Sequence, residues 1–68
     1  MKIERGQKWA SIQTGAYVWI VSVSKFYIGD NSEDAVIYRN SNKFLGVFVR
    51  RKDEFLDRFT LVEEKWHL

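Results

Sequence analysis

Read for alternation, the chain divides into short β-type runs separated by clusters of turn residues. The first run covers Gln7 to Ile12. The segment "QTG" at 13–15 follows, and Gly15 supplies the positive φ that a three-residue hairpin turn requires. The second run, Ala16 to Ile28, is rich in Val, Ile, Tyr and Trp and too long for a flat strand of one phase. With Val18 and Ile20 facing inward, strict alternation would send Ser22 inward, although Val23 is the better core residue. A bulge near Val21–Ser22 shifts the inward face by one residue and turns Tyr17 and Trp19 outward. The opposite phase would put Tyr17, Trp19, Val21 and Val23 inside.

The segment "GDNSED" at 29–34 has the composition of a loop. A third run, Ala35 to Arg39, puts Val36 and Tyr38 on one face, and "NSNK" at 40–43 forms a tight turn. The fourth run is Phe44 to Arg50. Beyond it, Phe55 and Phe59 lie four residues apart with Leu56 beside them, a spacing that predicts one helical turn near 52–58. Asp53 and Glu54 would sit early in that turn and Arg58 late, which suits the helix dipole. Phe59 to Val62 returns to β, and residues 64–68 read as a flexible tail. Five strands with one helical turn before the last predict an all-β fold, a five-stranded SH3-like barrel spanning residues 1–63. The OB-fold is a rival barrel, but it places its helix between the third and fourth strands, where this chain has only "NSNK".

Several of these segments carry a resemblance. "VIYR" (36–39), a strand ending "FVR" (48–50), "EFLDRF" (54–59) and "LV" (61–62) resemble the C-terminal half of short bacterial and phage SH3-like domains of unknown function. "GQKW" (6–9) and "GAYVWIVSV" (15–23) are similar to the starts of such proteins. The resemblance covers most of the chain through packing motifs. It implies an SH3-like barrel and a bacterial or phage source, and it assigns no catalytic residue.

Composition narrows the classes further. The chain has 68 residues, one domain's worth, and no cysteine. Disulfides and thiolate metal sites are thereby excluded, and a reducing cytoplasm is the expected location. No apolar run approaches the roughly 20 residues that a membrane helix needs, and "MKIERGQKW" has no signal-peptide core. Aromatic residues make up 16%, more than one small core accommodates. Tyr17, Trp19, Phe26, Tyr27 and Phe48 cannot all be buried, so some are expected at an interface.

Net charge is only +2, but the charges are segregated. From Ala35 to Lys52 there are five cations (Arg39, Lys43, Arg50, Arg51 and Lys52) and no acid, whereas five acids and one cation follow from Asp53 to Glu64. With strands three and four paired antiparallel across "NSNK", Arg39 and Lys43 are expected some 20 Å from Arg50–Lys52, at about 3.3 Å per residue. These cations with outward Tyr17 and Trp19 form the candidate partner-binding set. A protein partner or self-association is the leading expectation, and nucleic acid bound by the cations and stacked on the aromatics is the alternative. Catalysis is not expected. The one histidine, His67, stands next to the last residue, and Asp53, Glu54 and Asp57 read as a solvated helix face. Asp30, Ser32 and Asp34 have the opening spacing of a calcium loop, but Ala35 and Ser41 occupy the positions that need Gly and Glu. No metal or cofactor is expected.

Overall fold

Short turns join most of the apolar runs, so successive strands pair as antiparallel neighbours. A computed structural model of the protein describes residues 2–41 and 46–63. Its elements are β1 (Lys8–Ser11), β2 (Tyr17–Ile28), β3 (Asn31–Asn40), β4 (Phe48–Arg51), α1 (Lys52–Arg58) and β5 (Phe59–Glu63). All strands join one antiparallel sheet in the order β4-β3-β2-β1-β5. The sheet is open, with β4 and β5 as its edges, where a closed barrel was expected. The chain between those edges is helical: α1 packs on β3, β4 and β5 and puts Phe55 in the core cluster.

The predicted bulge is present. Ile20 pairs with Tyr38 but Ser22 pairs with Ile37, which leaves Val21 as the extra residue. Directly paired residues share a face, so the inward set changes from Val18 and Ile20 to Val23. Val18 and Ile20 are buried, whereas Val23 remains 39% exposed. It lies on the inward face beside the buried Val36, at the border of the core. From there β2 and β3 continue as a two-stranded ribbon through Lys25–Asp34, Phe26–Glu33, Tyr27–Ser32 and Ile28–Asn31. The expected 29–34 loop is therefore mostly strand. Only Gly29 and Asp30 form the turn, and Gly29 has φ 62° as the first central residue, as a type II′ hairpin needs.

The core is built around aromatic rings. Trp9, Tyr38 and Phe59 surround Phe55 at centroid distances of 5.2, 5.3 and 4.5 Å. Ile3, Val18, Ile20 and Val36 complete the cluster, with Leu61 at its border. One polar side chain is enclosed with them. The Gln7 Oε1 accepts from Trp9 Nε1 (3.0 Å) and from the Glu4 amide (2.9 Å), and its Nε2 donates to the Lys2 carbonyl (3.1 Å). All of its bonds hold the N-terminal segment against the sheet, which is how Ile3 is brought into the core. Helix α1 starts and ends as the spacing predicts, with Asp53 and Glu54 in its first turn and Arg58 in its last.

Candidate interaction surfaces

The sheet's open side leaves a groove. Tyr38 stacks on Phe48 (5.7 Å) and meets the edge of Phe59 (5.4 Å). These rings and Val18 line a hollow between the β1–β2 turn and β4, with Ser11 and Arg50 contributing polar groups. The Arg50 Nε donates to Tyr38 Oη at 3.3 Å, which fixes the guanidinium over the hollow's polar end. Among the described residues strand β4 pairs with β3 alone. Its other backbone edge borders this groove, flanked by exposed Val47 and by Val49, which is 65% exposed.

The consecutive cations do not form one patch. Arg50 pairs with Val36 on the inward face, whereas Arg51 pairs with Ala35 on the outer face. Both nevertheless bend to Glu54. Arg51 donates to its Oε1 through Nε (3.1 Å) and Nη2 (2.7 Å), and Arg50 Nη1 lies 3.8 Å from its Oε2. Arg51 also lies 3.6 Å from Glu33 and 4.0 Å from Asp53. The Glu54 hydrogen bond, then the charges of Glu54, Glu33 and Asp53, raise the Arg51 pKa above its ordinary value. Its charge is thus fixed at any working pH. A residue that reads as spare in the sequence links the β2–β3 ribbon to the first turn of α1. Lys52 is half-buried at the start of that helix.

The outer face gathers the other candidates. Trp19 pairs with Lys8 on one side and Arg39 on the other, and Tyr17 pairs with Ala10 in the row two residues away. The Lys8 ammonium sits 3.9 Å from the Tyr17 ring centroid, and the Arg39 guanidinium 5.7 Å from that of Trp19. Cation and aromatic thus alternate across three strands. Lys8 belongs to this row and escapes a reading of the sequence, because only the β1–β2 register puts it beside Tyr17 and Trp19. Lys43 lies outside the described residues. Arg51, opposite Ala35, stands four residues from Arg39, about 13 Å along the strand rather than some 20 Å.

The chemistry-bearing residues considered for catalysis or metal are dispersed. Asp53 and Asp57 are exposed on α1, and His67 lies outside the described residues. Asp30 sits in the ribbon turn, whereas Asp34 pairs with Lys25 and Ser32 with Tyr27 in the ladder. Among the described residues no three His, Cys, Asp or Glu side chains are grouped to hold a metal, and no helix is long and apolar enough to cross a membrane. No protein-family model, curated protein or solved structure matches the chain.

Proposed function

We propose that this chain is a small non-enzymatic protein-interaction module of SH3-like architecture that binds an extended segment of a partner protein along β4. The strand order β4-β3-β2-β1-β5, with one short helix before the last strand, supports the SH3-like reading. The observation that carries the binding mode is the β4 edge, which no other described strand pairs with, beside a groove floored by Tyr38, Phe48 and Phe59. An added strand would satisfy the free backbone groups of β4 and send alternate side chains toward Phe48 and Arg50. The matching ligand carries an apolar residue for the rings and, two positions along, an acidic one for the Arg50 guanidinium. Such a module suits a small regulator or inhibitor of a host protein. The nucleic-acid alternative has less support, because Arg51 is already paired with Glu54 and Glu33.

Selection of displayed random peptides against the immobilised protein tests this reading. The expected binders share an apolar residue followed two positions later by an acidic one, and shift the amide resonances of residues 47–51. Phe48→Ala is expected to weaken them at least about fivefold, as loss of an aromatic anchor does. Binders that leave residues 47–51 unmoved would refute the proposal.

A further inference from the structure

A second hollow continues the β4 groove. The two share Ser11 and Arg50, so Arg50 stands on the ridge between them. The further hollow is walled by Ile12 and Gln13 of the β1–β2 turn and by Asp57 and Arg58 in the last turn of α1. It lies at the Phe59 end of β5, opposite Glu63. Its far wall is a joint: the Ile12 amide donates to the Arg58 carbonyl at 2.9 Å, one step beyond the Ser11–Phe59 pair.

The joint limits what a strand laid along β4 can do. Backbone partners on β4 run only from Phe48 to Arg51, and at Lys52 the chain turns into α1. A segment that passes Phe48 and then Arg50 enters the further hollow, whose opposite side is the last turn of α1. The hollow has room for a chain end but no ladder for a continuing strand.

The charges decide which end fits. Arg50 donates to Tyr38 Oη through Nε, and among the described residues its Nη groups make no hydrogen bond, with Glu54 Oε2 3.8 Å from Nη1. Arg58 forms no ion pair among the described residues. Two guanidiniums against the one carboxylate of Asp57 leave the hollow positive. The Arg58 carbonyl, at the negative end of the helix, is already bonded to the Ile12 amide. The Ser11 hydroxyl accepts from the Thr14 amide at 3.2 Å and keeps its own hydrogen to donate. A chain that entered by its N-terminus would set an ammonium against two guanidiniums. A chain that ends here sets a carboxylate against them.

We infer that the β4 groove takes the C-terminal end of a partner protein, whose last main-chain carboxylate is held by Arg58 and the Ser11 hydroxyl. The ligand runs parallel to β4, with its apolar residue on Phe48 and its final, acidic residue two positions on, the side chain at Arg50. Capture of a terminal carboxylate beside an added strand combines two known modes of peptide recognition. The inference rests on the strand-addition reading of β4 and deepens it: main-chain pairing alone is indifferent to sequence, and the hollow supplies the selectivity.

Selection from random peptides displayed with free C-termini tests it. The expected binders carry the apolar residue third from the end and the acid last. Resynthesised as C-terminal amides, or extended by two glycines, they are expected to bind at least about tenfold more weakly in a fluorescence-polarisation titration, as the loss of one charge-assisted contact implies. Arg58→Gln is expected to weaken the free acid by a similar factor and to leave the affinity of the amide unchanged, with thermal unfolding to check that the variant folds. Equal affinity for acid, amide and extended forms, with shifts still at residues 47–51, would overturn the inference and leave strand addition standing. Acid and amide weakened alike by Arg58→Gln would overturn it as well, since Arg58 would then not hold the terminal carboxylate. A selection that yields no binder shifting residues 47–51 would remove both readings.

Discussion

The two faces of this one sheet use the same kinds of side chain for different ends. On the inward face, aromatic rings meet other rings. Phe55 is fully buried and touches Trp9, Tyr38 and Phe59. On the outer face, rings meet cations: Tyr17 has Lys8 over it and Trp19 has Arg39. Ring against ring removes apolar area from water and fixes a shape. Ring against cation adds an electrostatic attraction of about 0.5–1 kcal/mol for each contact. Aromatic richness therefore builds a core on one side and a row of cation–ring contacts on the other.

The comparison breaks most readily at Phe55. Phe55→Ala is expected to remove about 3–5 kcal/mol, since it leaves a cavity that three rings cannot fill. A domain this small has on the order of 3–10 kcal/mol in all, so the variant should lose its cooperative thermal transition. Tyr17→Ala on the other face should shift stability by only about 0.5 kcal/mol. Urea unfolding of the two variants measures the contrast directly, and equal losses would erase the distinction between the faces.

A smaller effect is expected at Gln7, the polar member of the inward face. Gln7→Leu keeps the volume but removes the acceptor for Trp9 Nε1 and the Glu4 amide. Leaving buried donors unmet costs about 1–3 kcal/mol. Hydrogen exchange should speed first at residues 3–7, because the bonds of Gln7 to Lys2 and Glu4 hold that segment in place. Unchanged protection there would mean that Ile3 and the Gly6 amide, which donates to the Ile20 carbonyl, anchor the segment without the Gln7 side chain.

The parts of this structure that were legible in the sequence are those written as local patterns. The bulge at Val21 shows as a break in alternation between Ile20 and Val23, and α1 shows as the Phe55–Phe59 spacing. The ribbon was hidden because Asn31, Ser32 and Asp34 are turn formers. They are held extended by cross-strand partners Ile28, Tyr27 and Lys25, which outweigh a weak intrinsic preference. Gln7 looks like one more polar residue in "GQK", and only the folded N-terminal segment encloses it. At the candidate surfaces, Tyr17 and Trp19 were readable as outward once the bulge was placed. Lys8 was not, since its position beside them is a matter of register. Nor was the role of Arg51, whose partner Glu33 lies eighteen residues away on another strand.

Arg51 is accordingly where the comparison is most finely balanced. On the outer face it is the cation that meets acids rather than a ring, and it joins Glu33 of the ribbon to Asp53 and Glu54 of α1. Exposed ion pairs are weak and screened by salt, so Arg51→Ser should lower the unfolding temperature slightly at low ionic strength. The difference from the wild-type protein should close as salt rises. Because the pKa of Arg51 is raised, its contribution is complete below its ordinary value and is lost only as pH rises through the folded one. No change in this difference is therefore expected between pH 6 and about 9, where Arg stays charged. Substitution of Lys52 to Ser, in contrast, breaks no ion pair among the described residues and should leave the melting curve in place at every salt concentration. A large, salt-independent loss in Arg51→Ser would mean that its aliphatic stem, lying over Ala35, matters more than its charge.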